Sequence, residues 1–313
     1  MKIVRDWLFI ILFFSNIPAS AGSNGVAFGG FESKPEKGQI SFSNPGYEIS
    51  HILKDGAPFI KPEMEGAGSK SEPGQPDLPT MSTYYAVEPG KIFTINASIK
   101  ESEVIENVEV VPFETWNSQP TGVIEKGVTY QQSSSFPANI ATVSDPMVFR
   151  DIVMVQVSVT PFQYNPVSKT LTVIQEIDLE LVESGATEVP YIPQQKSREF
   201  EILYESLVVN YPSTIREGEE VYQRPSILYV LPNNIGNLLG TVEELMNWKK
   251  RVGFDVQYVS TSNIVNNRNN LKNYIEDAYE TWENPPVHVT IVGDVDGSYD
   301  IPTWNESYSG YSG

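Results

Sequence analysis

The 313-residue sequence has no cysteine and only two histidines, and its basic side chains (Lys+Arg 21) are about half as many as its acidic ones (Asp+Glu 40). Without cysteine there is no disulfide, no Cys-ligated zinc or iron–sulfur centre and no thiol nucleophile within these residues. The formal net charge of −19 argues against a nucleic-acid partner, because phosphate affinity comes from clustered Lys and Arg. No apolar run approaches the roughly 20 residues that span a bilayer. Charged residues are only 19 % and hydrophobic ones 40 %, which excludes a disordered acidic chain and allows a sizeable core. At roughly 150 residues per domain, the length suggests about two domains.

The N-terminus has the order of a secretory signal. Lys2 and Arg5 precede the short apolar run Trp7 to Phe14, and Pro18 leads into Ala19-Ser20-Ala21, a small-x-small cleavage site. Residues 1–21 are therefore expected to be removed after Ala21, although Asp6 departs from the positive region. The mature protein is expected to be secreted or held at the cell surface, with no membrane span. An exported chain without cysteine must draw its stability from packing alone, which is commoner among bacterial than animal secreted proteins.

Residues 22 to about 190 are rich in Pro, Gly and Ser, and their apolar pattern alternates. Ile92 to Ile99 and Val104 to Val111 are expected to be strands. Val153, Val155, Val157 and Val159 fall on one face of a strand ended by Pro161, as a period of two requires. Leu171, Val173, Ile177, Leu179 and Leu181 form a second odd-numbered stripe, joined to the first by turn chemistry over Tyr164 to Thr170. A β-rich half follows, either sandwich-like or a curved antiparallel sheet.

From Pro225 the pattern changes. The run Ser226 to Leu231 suits a strand covered on both faces. A helical stripe of Leu238, Val242, Leu245, Met246 and Val252 follows, closed by Lys249-Lys250-Arg251 and Gly253. A strand at Phe254 to Val259, a second helix carrying Leu271, Tyr274, Ile275, Ala278 and Tyr279, and a strand at Val287 to Val292 complete the pattern. Alternating strands and helices imply a parallel sheet with right-handed crossovers. Such a sheet is incomplete, so the natural chain is expected to continue past Gly313, and residues 225–313 are not expected to be stable alone. Between the halves, Gln194 to Arg224 reads as an accessible linker with no role in either core.

These segments together resemble the precursors of gingipain-type cysteine peptidases. Pro73-Gly74-Gln75-Pro76-Asp77-Leu78-Pro79 is similar to the PGxPxLP segment of their propeptides, and Phe149-Arg150-Asp151 leading into Val159 to Pro166 is similar to a later part. Ile227 to Val230, Trp248 to Phe254, Tyr274-Ile275 with Ala278-Tyr279, and Val292-Gly293-Asp294 with Ile301-Pro302 resemble the opening of their catalytic domain. The resemblance implies a β-rich propeptide over residues 22–218 and, over 219–313, the start of a caspase-like α/β domain. It further implies a secreted cysteine endopeptidase that acts on protein or peptide substrates and is kept latent by its propeptide. The catalytic His and Cys that such an enzyme needs would lie beyond Gly313, leaving this fragment inactive.

The candidate site residues are few. Activation by cleavage at a basic residue points to Arg216, with Arg224 and Arg198 as alternatives; Pro225 hinders a cut after Arg224. Asp294, at the carboxyl end of a strand, is a candidate for a substrate crevice or, with Asp296 and Asp300, for a cation site in which calcium would fit. The plainer reading of Asp294-Val295-Asp296-Gly297 is a strand-end turn. His51 and His288 read as structural residues, and Pro232-Asn233-Asn234 stands where a phosphate-binding loop would need glycines. The rival to the peptidase reading is a non-catalytic exported β-sandwich surface or adhesion protein.

Overall fold

The computed structural model describes residues 29–54, 56–114, 125–187, 195–211, 222–264 and 267–304. The signal segment with Ala21 lies outside them. The N-terminal unit runs through β1 (Phe31–Ser33), β2 (Gln39–Ser43), β3 (Glu48–Lys54), β4 (Ala57–Glu63), β5 (Gly68–Ser69) and β6 (Pro79–Val87). It continues through β7 (Lys91–Ile105), β8 (Ala141–Val143), β9 (Met147–Phe149), β10 (Ile152–Val159), β11 (Phe162–Asn165) and β12 (Thr170–Ala186).

Two antiparallel sheets face each other. One has the order β1-β2-β12-β11 with β7 on the free edge of β12, and the other β5-β6-β10-β8 with β9 also on β10. Their inner faces share one core, in which Phe31, Ile40, Phe42, Phe162 and Leu171 meet Val155, Val157 and Val159. This is the expected sandwich. The odd-numbered stripe of β12 is buried, and two register shifts of opposite sense, around Ile174/Glu176 and Glu176/Ile177, keep Leu171 and Leu179 on the same face. Asn165 shapes the expected turn, its Oδ1 accepting from Val167 and Ser168 N–H at 3.1 Å each.

One expected strand is displaced. Val104 to Val111 is not a separate strand: β7 runs unbroken to Ile105 and Asn107 then turns the chain with φ 58. That left-handed conformation cannot continue a strand. Val110 is buried all the same, in an isolated bridge to Ile60.

The second unit holds β13 (Ser226–Leu231), β14 (Asp255–Ser260) and β15 (His288–Ile291) in a parallel sheet of order β14-β13-β15. Two helices connect them, Leu239–Arg251 and Arg268–Thr281. All six residues of β13 are buried. Ile227, Tyr229 and Leu231 pack with Met246 of the first helix, whereas Leu228 and Val230 pack with Leu271 and Ala278 of the second. The helices therefore lie on opposite faces, as a central parallel strand demands. Val289 and Ile291 on β15, Leu245 and Trp248 on the first helix, and Val252 just past its end remain exposed.

The motif beginning at Pro73 knits loops to the sandwich. Gly74 has φ +82, its N–H donates to Phe113 O, and its carbonyl accepts from Gly127 N–H. A Cβ at Gly74 would sit 3.0 Å from Gly127 N and 3.2 Å from its Cα. Leu78, four residues on, is fully buried. Gly74→Ala is expected to lower stability by about 1–3 kcal/mol in denaturant unfolding. Gly68→Ala, in open space, should stay within about 0.5 kcal/mol of the parent. Equal midpoints for the two variants would contradict this account of the motif.

Candidate functional site

Among the described residues no group of His, Cys, Asp or Glu is arranged to hold a metal ion. Neither histidine has a catalytic setting. His51 is exposed on β3 opposite Ile60, and His288 on β15 lies 6.4 Å from the Phe254 ring, with its basicity lowered by partial burial. Asp294 stands at the carboxyl end of β15 as expected, but it does not join Asp296 and Asp300 as a ligand set. Its Oδ1 accepts from Val295 N–H at 2.7 Å, and its backbone bonds to Tyr299 and Ile301 close a turn. That geometry is the strand-end turn, and the calcium site gains no donor set from it.

The two units meet instead around the segment that follows β12. The expectation that Gln194 to Arg224 is an accessible linker is corrected here. Residues Arg198–Leu207 form a helix, α1, whose inner face covers the outer side of the β6-β10-β9 sheet. Phe200, Tyr204, Leu207, Val208 and Tyr211 recur at helical spacing and pack on Met154, Phe149, Ile152 and Tyr84. Asn210 is buried and clasps Ala86, accepting from its N–H at 2.7 Å and donating to its carbonyl at 3.0 Å. The chain is thus part of the sandwich's own packing as far as Tyr211.

Beneath α1 lies a buried polar group. The Tyr204 hydroxyl donates to the Asp151 carboxylate. Burial raises the Asp151 carboxyl above its ordinary range, a shift that the Tyr204 hydrogen bond offsets only in part. Burial and the same carboxylate hold the Tyr204 phenol well above its own range.

Next to Asp151 is Arg150, in the two-residue connection between β9 and β10. It is 7 % exposed and has φ 57. Its Nη2 donates to the side-chain carbonyl of Gln223, and its guanidinium lies 5.0 Å from the Phe200 ring and 5.7 Å from the Tyr279 ring. Gln223 reaches onward, donating to Pro285 O at 3.0 Å, and its backbone N–H donates to Lys196 O at 2.9 Å. Ser226 Oγ donates to the same Pro285 carbonyl at 2.6 Å and accepts from Val287 N–H at 3.0 Å. The start of β13 is therefore pinned both to the sandwich side and to the β15 approach.

The candidate cleavage residues fall differently on this frame. Arg198 is the first residue of α1 and stacks 4.9 Å over the Tyr222 ring. Arg224 is exposed, and its Nε donates to Gly253 O at 2.9 Å. Arg216 lies outside the described residues. Among the described residues no helix is long and apolar enough to cross a membrane.

Among the described residues, a β sandwich packed by the helix Arg198–Leu207 precedes a parallel α/β sheet, the arrangement expected of a peptidase propeptide joined to its catalytic domain. The Propeptide_C25 family model matches residues 33–227, and that of Peptidase family C25 matches residues 221–312. The chain belongs to the C25 propeptide family and is a precursor of gingipain type. It is similar to Gingipain R2 of Porphyromonas gingivalis, 27 % identical over 248 residues, covering 74 % of this chain and 32 % of that protein. Gingipain R1 from the same organism is 28 % identical over 242 residues, covering 74 % of this chain and 24 % of that protein. The chain thus spans about a third or less of the length of these curated relatives. Among solved structures, the complex of Porphyromonas gingivalis RgpB pro- and mature domains matches with a TM-score of 0.50 and 26 % identity. That match covers 59 % of this chain and 98 % of the matched chain.

The packing of α1 can be tested directly. Tyr204→Ala is expected to cost about 3–5 kcal/mol in thermal or denaturant unfolding, because a fully buried ring is removed. Tyr204→Phe should cost about 1–2 kcal/mol at neutral pH by removing the hydroxyl donor to Asp151. An aspartate whose folded pKa is raised destabilises the fold when ionised, and that loss is recovered as pH falls through its range. The Tyr204→Phe penalty should therefore shrink on acidification. A penalty that grows towards acid pH would overturn the assignment.

Proposed function

We propose that this chain is the export signal, inhibitory propeptide and opening of the catalytic domain of a secreted gingipain-like cysteine endopeptidase. The observation that carries the reading is the continuity of family and fold. A sandwich matched by the propeptide model is followed along the chain by the parallel sheet matched by the peptidase model, the two matches overlapping at residues 221–227. The adhesion-module alternative gives no reason for that second match. In this reading residues 22–218 are the propeptide and 219–313 the first part of the catalytic domain. The propeptide binds its own catalytic domain, and the mature enzyme cleaves proteins or peptides. The thiolate, imidazole and oxyanion donors of the reaction come from residues beyond Gly313.

Activation requires a cut where backbone can enter a protease cleft without severing a core element. Arg198 is a poor candidate, because it begins a helix whose inner face is buried. Arg224 is followed by Pro225 and is tied to Gly253. Arg216, in the interval between Tyr211 and Tyr222, is the favoured site. Sequencing the N-terminus of the secreted mature enzyme should return a start at Glu217. A start after Arg198 would contradict the assignment of α1 to the propeptide, and a start within β10 would overturn the domain boundary itself.

A further inference from the structure

A two-residue hairpin connection with positive φ at its first position is glycine's place, because an L side chain there costs roughly 1–2 kcal/mol. Arg150 occupies it with φ 57. The residue is also buried, and its Nε–H meets no acceptor among the described residues, a second cost. Such strain persists only where surrounding contacts over-determine it, so those contacts indicate its use. The guanidinium lies on Phe200 of α1, on Gln223 just ahead of β13, and on Tyr279 of the second connecting helix. A planar guanidinium can stack on two rings while donating in its own plane, which neither lysine nor a neutral side chain achieves.

We infer that Arg150 is the residue by which the β sandwich retains the α/β unit after the chain between them is cut. Scission between Tyr211 and Tyr222 leaves Arg150, Lys196 and Phe200 on one fragment and Gln223, Tyr279 and Pro285 on the other. The Arg150–Gln223 and Arg150–Tyr279 contacts, together with the Gln223–Lys196 backbone bond, the Tyr222–Glu201 hydrogen bond and the Arg198–Tyr222 stacking, then join two separate chains. The inference rests on the proposed position of the activating cut for its biological meaning, not for its physics.

The test uses the chain with an affinity tag ahead of the sandwich and the recognition site of an unrelated sequence-specific endopeptidase inserted after Arg216. After complete cleavage, the tagged fragment of the parent should retain the α/β fragment on the resin and in size-exclusion chromatography. Arg150→Gly should weaken that retention about tenfold or more in a dilution series. Its sandwich should unfold at or above the parent temperature, since glycine relieves the turn. Gln223→Ala removes the partner and leaves the hairpin untouched, so it should weaken retention in the same direction even if Arg150→Gly fails to fold. Parent fragments that separate at once, or variants that retain the α/β fragment as tightly as the parent, would overturn the inference. Because the cut is made by a foreign enzyme, neither result depends on whether Arg216 is the natural site.

Discussion

The structure depends on the double burial of β10. Its valines at 153, 155, 157 and 159 face the sandwich core, but Met154 on the other side is equally buried. The second face of β10 is apolar at its start, Ile152 and Met154, and that part must be covered as well. The opposite sheet provides one cover, and α1 with Tyr204, Val208 and Tyr211 provides the other. That second cover draws the chain past β12 back across the sheet and delivers it, at Gln223, beside Arg150. The junction between the two units is thus a consequence of core packing, and its polar contacts are built on that packing.

Much of the fold was legible because its periods are unambiguous. The alternation in β10 and β12, and the strand–helix alternation after Pro225, reappear in the structure, although β12 runs on past the expected Leu181 to Ala186. The segment after Gln194 has the charges of a linker, Lys196, Arg198 and Arg216, interleaved with an apolar stripe. Phe200, Tyr204, Leu207, Val208 and Tyr211 are spaced as an amphipathic helix and would have located α1. The end of β7 was misplaced because strand-like residues from Val104 to Val111 conceal the turn at Asn107, which only its backbone angle reveals. Arg150 appeared in the sequence only as part of a family-like triplet. Its role depends on where Gln223 and Tyr279 come to lie, and no local pattern encodes that.

The two units are also unequal in cover. The sandwich encloses a continuous core, whereas the parallel sheet leaves Val289 and Ile291 exposed on β15, Trp248 on its first helix and Val252 just past that helix. The sequence has no cysteine, so no thiol nucleophile lies within these residues, and neither described histidine has a catalytic setting. In the proposed function the chain's role is restraint, that of a propeptide packing on the beginning of the domain it precedes. Asp294, the most plausible crevice residue by position, spends its carboxylate on the adjacent backbone.

That restraint is the central claim, and inhibition measures it most directly. Residues 22–211, first checked for a single cooperative unfolding transition, would be titrated against the mature peptidase encoded by the full gene. Peptidase activity should fall to a residual level at about one equivalent of propeptide, with the same protein kept unfolded leaving activity untouched. Full activity in the presence of an excess of the folded propeptide would contradict the account.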